Sequence, residues 1–173
     1  MNKERMEGME LESHTAKQTY IKLLAETLKK KIEILHNLTQ LTQKQADIIA
    51  SDGFSDEEFL KNISLKEAQL LSLTQLDNGF EQLYERVKEE LATEREKYGS
   101  QIRDLQELVK NITDLSVKLQ TMEQRNKMKI ETVFAVRRKE IKTARMSSQT
   151  VSNYYKTMAN QQENQSLFYD KKK

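Results

Sequence analysis

Not one proline interrupts the 173 residues of this chain. Proline breaks a helix interior because it lacks the amide donor and clashes with the preceding turn, so a chain without it is free to run in long helices. Glycine occurs only four times, at Gly8, Gly53, Gly79 and Gly99. All-β folds depend on frequent Gly and Pro turns, and this scarcity argues against them. The same spacing leaves no room for a GxGxxG or GxxxxGK phosphate loop. The chain also has no cysteine, hence no disulfide, thiol nucleophile or thiolate metal site. Length alone suggests one domain.

Apolar periodicity divides the chain into three long helices. Ile21, Leu24, Leu28, Leu35, Leu38 and Ile49 recur at three- and four-residue steps or their sums, with Ile32 and Leu41 widening the stripe. This period predicts an amphipathic helix over about 14–51, with Ser13 as a candidate cap. Ser51-Asp52-Gly53 should end it, the glycine supplying a left-handed C-terminal residue. Ser55-Asp56-Glu57-Glu58 then fits a capping box. Leu60, Ile63, Leu70, Leu73 and Leu76 follow, and Phe80, Leu83, Val87 and Leu91 resume the stripe beyond Asp77-Asn78-Gly79. We read one continuous helix over about 55–98, with Gly79 inside it at a cost of about 1 kcal/mol. After the Tyr98-Gly99-Ser100 corner, Leu105, Leu108, Ile112, Leu115, Leu119 and Met122 alternate steps of three and four, the heptad pattern of a coiled coil. The stripe falters over 123–129, revives at Ile130, Val133, Phe134 and Ile141, and places a third helix at about 100–146.

From Ser147 the composition turns to Ser, Asn and Gln. Residues 147–173 are expected to be largely flexible, although Tyr154, Tyr155, Met158, Leu167 and Phe168 stand in them as hydrophobic anchors. The expected fold is all-α: an elongated antiparallel helical hairpin with a third helix alongside, a three-helix coiled-coil-like bundle over 1–146 with a flexible C-terminal tail.

The net charge of +2 hides an asymmetry. Residues 1–123 hold 17 basic and 23 acidic side chains, net −6, whereas residues 124–173 hold 12 and 4, net +8. The basic stretch Arg125, Lys127, Lys129, Arg137, Arg138, Lys139, Lys142 and Arg145 admits three readings. It is a solvated face, a match to an acidic partner or to this chain's own acidic helices, or a nucleic-acid surface. The last is the minor alternative, since Phe134 is the lone aromatic within the stretch. The longest apolar run is Val133-Phe134-Ala135-Val136, far short of the roughly 20 residues of a spanning helix. No membrane insertion is expected, and the charged N-terminus lacks a signal peptide's apolar stretch. A cytoplasmic location follows as an expectation.

Catalysis finds no foothold. His36, between Leu35 and Leu38, reads as an edge-of-core side chain, and His14 as part of a frayed helix start. Glu89-Glu90 and Glu94-Glu96 read as a solvated face, and no ExxH pair offers a metal site. The expectation is a non-enzyme without metal or cofactor. Tyr, Met and Phe are favoured interface residues because they bury large areas with few rotors. Partner-binding residues are therefore expected among Tyr154, Tyr155, Met158, Leu167 and Phe168, and among Ile130, Val133 and Phe134. Tyr154, Tyr155 and Met158 also admit a second reading, in which they pack on this chain's own helices. A self-associating coiled coil is the alternative to a partner-binding protein.

Four stretches carry a family resemblance. They are YIKLLAETLKKKIEIL over 20–35, SLKEA over 64–68 with LDNGFEQLYERVKEEL over 76–91, ITDLSVKLQ over 112–120 running on to EQRN, and NYYKTM over 153–158 with the closing FYDKKK. Together they resemble the FlgN-type flagellar export chaperones in the form found in Gram-positive bacteria. The resemblance implies a cytoplasmic type III export chaperone. Such proteins bind the C-terminal amphipathic helices of hook-associated (hook–filament junction) proteins, prevent premature polymerisation, and deliver them to the export gate component FlhA. It also implies helix-in-groove recognition and a tyrosine near the C-terminus that touches the gate, with Tyr154 or Tyr155 as the nearest match.

Overall fold

The computed structural model describes the backbone of residues 3–140 and 148–170, and the side chains of Gly8, 13–138 and 150–161. The fold is all-α. Its helices are α1 (Lys3–Ala50), α2 (Asp56–Thr93), α3 (Gly99–Glu140) and α4 (Ser148–Asp170).

Helix ends follow local chemistry. The Ser55 hydroxyl accepts from the Glu58 amide at 3.2 Å, and Asp56, Glu57 and Glu58 occupy the first turn of α2, where the helix dipole favours acids. The end of α1 departs from expectation. No glycine among the described residues has a positive φ, so Gly53 supplies no left-handed cap. Instead the Ser51 hydroxyl donates back to the Ile48 carbonyl at 2.9 Å and closes the last turn. α1 also starts well before Ser13, which lies inside it. Helix α2 runs unbroken through 77–79 but stops at Thr93, short of 98. There a turn is closed by the Tyr98 amide donating to the Glu94 carbonyl at 3.2 Å. The turn tucks Tyr98, 1 % exposed, edge-on to the His14 ring at 6.5 Å. His14 is thus half-buried within α1 rather than frayed, while His36 is exposed rather than at the core's edge.

The chain packs as two compact units, Met1–Glu33 with Gln75–Thr113, and Ile34–Thr74 with Asp114–Lys173. In the first, α1 and α2 run antiparallel. Lys17 pairs with Glu90, Tyr20 accepts from Arg86 at 3.1 Å, and Lys31 pairs with Asp77. Ile21, Leu24, Leu28, Phe80, Val87 and Ile112 form its core.

The second unit is a four-helix layer. Thr42 and Gln45 of α1 meet Glu123 and Asn126 of α3 in parallel register. Lys66 and Asp56 of α2 meet Glu123 and Arg137 in antiparallel register. Helix α4 runs parallel to α2, with Tyr154 beside Lys66 and the Gln161 amide donating to the Thr74 hydroxyl. The result is an up-down-up-down arrangement. Its core holds Leu35, Leu38, Ile63, Leu70, Leu73 and Leu119. Phe54, Phe59 and Phe134 meet in tilted and edge-to-face contacts at its α1–α2 corner, with ring centroids 5.6 to 6.4 Å apart.

Within the segment expected to be largely flexible, 147–173, Ser148–Asp170 form helix α4, and residues 147 and 171–173 lie outside the described residues. Val151, Tyr154, Met158 and Gln161 lie at steps of three, four and three, and all but the half-buried Met158 are buried. Few apolar residues mark this stripe, so intrinsic propensity alone did not reveal it. Packing of one face supplies most of the stability of such a helix.

Candidate functional site

Two features of the second unit stand out, a buried polar layer and the groove above it. The polar layer collects one level of all four helices. Glu123 Oε1 accepts from Thr42 Oγ1 and Tyr154 OH, each at 2.6 Å, and pairs with Lys66 Nζ at 2.6 Å. Lys66 Nζ also donates to Gln45 Oε1 at 3.0 Å and lies 4.5 Å from the Tyr154 ring centroid. Asn126 donates to the Thr42 carbonyl at 2.8 Å and to Gln45 Oε1 at 3.1 Å. Lys66 and Gln45 are 0 % exposed and Glu123 3 %.

Burial governs the ionisation of this layer. Desolvation pulls the Lys66 ammonium down from the ordinary 10.5 to about 8, against the opposing pull of Glu123. Desolvation, reinforced by Glu123, raises the Tyr154 phenol well above its ordinary range. Tyr155 is raised for the same reason, with Glu123 and Glu131 adding to the effect. Both phenols therefore stay protonated at neutral pH and serve as neutral donors or packing surfaces.

Beside this layer a groove of about 680 Å³ opens between α3 and α4. Leu35, Leu38, Leu70, Leu73, Leu119 and Ile130 give it an apolar floor. Phe134 of α3 and Val151, Tyr155 and Met158 of α4 add to its walls. Lys127, Arg138 and Lys156 also line it, with Lys127 Nζ 5.7 Å from the Tyr155 ring centroid. The volume lies within the range of ordinary ligand clefts, and an apolar floor with charged flanks suits one face of an amphipathic helix.

The sequence candidates separate on this geometry. Ile130, Phe134, Tyr155 and Met158 come together in the groove. Val133 is half-buried but does not line it. Tyr154 is 1 % exposed and bonded to Glu123, so for this residue the reading of packing on the chain's own helices holds. The side chains of Leu167 and Phe168 lie outside the described residues. Of the basic stretch, Arg137 pairs with Asp56 and donates to the Phe54 carbonyl at 3.2 Å. Among the described residues, Arg125, Lys127, Lys129 and Arg138 make no ion pair, whereas the side chain of Lys139 and residues Lys142 and Arg145 lie outside them.

Sequence reasoning missed the polar layer. A signal was present: Thr42, Gln45 and Lys66 occupy stripe positions between Leu38 and Ile49 and between Ile63 and Leu70. Glu123 and Asn126 likewise fall where the α3 stripe falters before Ile130. Polar residues on the apolar phase of several helices mark a shared buried level.

No helix among the described residues is long and apolar enough to cross a membrane. No group of three or more metal-ligating His, Cys, Asp or Glu side chains occurs among the described residues. No protein-family model, curated protein or solved structure matches the chain.

Proposed function

We propose that this protein is a helix-binding export chaperone of the FlgN type. It captures the C-terminal amphipathic helix of a hook-associated protein in the groove between α3 and α4. The observation that carries this reading is the groove itself, whose reachable apolar surface is half-buried Phe134, Tyr155 and Met158 over a buried bed of leucines and Ile130. A bound helix inserting residues at i, i+3, i+4 and i+7 would cover those three half-buried side chains. Capture hides the client's polymerising surface in the cytoplasm, and release at the membrane gate, FlhA in this family, returns it. The flagellar assignment rests on the sequence resemblance; the helix-binding assignment rests on the groove.

A photo-crosslinking residue at position 158, in the otherwise intact chain, tests this reading. It should join the chain to a client's C-terminal helix, whereas the same probe at Leu23 of the first unit should not. Crosslinks at Leu23 alone would place docking elsewhere and overturn the groove as the site.

A second reading, self-association, draws on Leu65, Leu71, Val117, Met128 and Val136, which are 47 to 67 % exposed. Light scattering separates the two: a monomer that forms a one-to-one complex with a client helix favours the chaperone.

A further inference from the structure

Part of the groove's positive charge is not balanced from within. Its lining includes the acids Asp56, Glu123 and Glu131 and the bases Lys127, Arg137, Arg138 and Lys156. Asp56 is committed to Arg137 and Glu123 to Lys66. That leaves Lys127, Arg138 and Lys156 facing Glu131 alone, a local excess of two positive charges. None of these three cations makes an ion pair among the described residues. Among the described residues, the Arg138 guanidinium donates only to the Phe134 carbonyl, at 3.3 Å. A match between the basic stretch and the chain's own acidic helices would commit Lys127 and Arg138 internally, and of that stretch only Arg137 is so committed within the described residues.

From this we propose that the groove selects an acidic amphipathic helix, in which Asp or Glu flanks an apolar seam; the inference rests on the helix-docking reading. The seam covers half-buried Phe134, Tyr155 and Met158, and the flanking carboxylates meet Lys127, Lys156 and Arg138 at the rim. Rim charges act chiefly on association rate and on rejection of wrong partners. The preference is therefore one of sign, screened by salt over roughly 8 Å at physiological ionic strength. An Arg- or Lys-flanked helix with the same seam meets like charge and is turned away.

The full chain is titrated by fluorescence anisotropy with three designed helical peptides that share one leucine seam. Their flanking positions are all Glu, all Gln or all Lys, and a duplex DNA of matched length serves as a fourth probe. The Glu peptide is expected to bind at least about tenfold more tightly than the Gln peptide and more tightly still than the Lys peptide, the gap narrowing in high salt. The exposed or half-buried positions allow Lys127→Glu with Lys156→Glu to be made without opening the core, with helicity checked by circular dichroism. That variant should reverse the order of the Glu and Lys peptides. Equal binding of all three peptides overturns the charge selection while leaving helix docking intact. Binding of none overturns the docking reading on which it rests. DNA bound more tightly than the Glu peptide overturns the inference in favour of a phosphate surface.

Discussion

Glu123 gathers a lysine, a threonine and a tyrosine from three other helices onto one carboxylate oxygen. Its second oxygen and Gln45 Nε2 make no hydrogen bond among the described residues. A buried ion pair of this kind seldom adds stability over an apolar replacement, but removing one partner strands the other charge. Lys66→Met alone should therefore lower stability by about 3–5 kcal/mol, and Lys66→Met with Glu123→Leu should recover most of that loss in chemical denaturation. A double variant as unstable as the single would show that the pair itself is stabilising. The ionisation shifts give a pH signature. Between about pH 8 and 10.5 the unfolded chain holds a proton on Lys66 that the folded chain has released. Stability then rises with pH across that window. Above the ordinary tyrosine value of 10.0, folded Tyr154 keeps the proton that the unfolded phenol loses, and stability falls. Denaturation midpoints should rise from about pH 8 and turn over above about pH 10, with the rising limb lost in Lys66→Met and the falling limb reduced in Tyr154→Phe. These residues were hard to see in the sequence because burial of a lysine depends on what faces it from three other helices. Only their phase on the apolar stripe was visible.

At the level of elements, α1, α2 and the heptads of α3 were legible because long stripes of Leu and Ile impose one face on a proline-free chain. The cap at Ser55 was legible too, since its chemistry is local. Ser55→Ala should cost about 1 kcal/mol through the lost bond to the Glu58 amide. Gly79 sits inside α2 without a positive φ, and an added Cβ would meet nothing within 4 Å. Gly79→Ala should therefore stabilise the protein by about 0.5–1 kcal/mol in thermal or urea denaturation. A loss instead would mean that this turn does not stay helical in solution. The ends at Ala50 and Thr93 were less legible. The serine hydroxyl folding back on the carbonyl three residues earlier is a local bond with no sequence signature of its own, and the tyrosine drawn into the core depends on tertiary partners. Helix α4 was obscured because, among its described side chains, the packed face has only Val151, Tyr154 and Met158 as apolar members, surrounded by Ser, Asn and Gln.

Over the whole molecule, the first three helices each contribute to both compact units, and α4 belongs to the second alone. No break in the apolar stripe announces the division, since Ile32, Ile34 and Leu35 run straight across it. The groove was half legible. Four of its residues, Ile130, Phe134, Tyr155 and Met158, stood among the sequence candidates, but its floor is built from α1 and α2 leucines that read only as core. Charge placed at its wall should separate binding from folding. Met158→Glu, at a half-buried position, should weaken capture of a client helix by about tenfold or more, roughly the 1.4 kcal/mol of one lost contact. It should do so with little change in helicity. The most direct measurement is a calorimetric titration of the full chain with the C-terminal helices of hook-associated junction proteins. The account predicts saturable one-to-one binding at about micromolar affinity or better, weakened by Met158→Glu. Absence of binding at concentrations of tens of micromolar would contradict it.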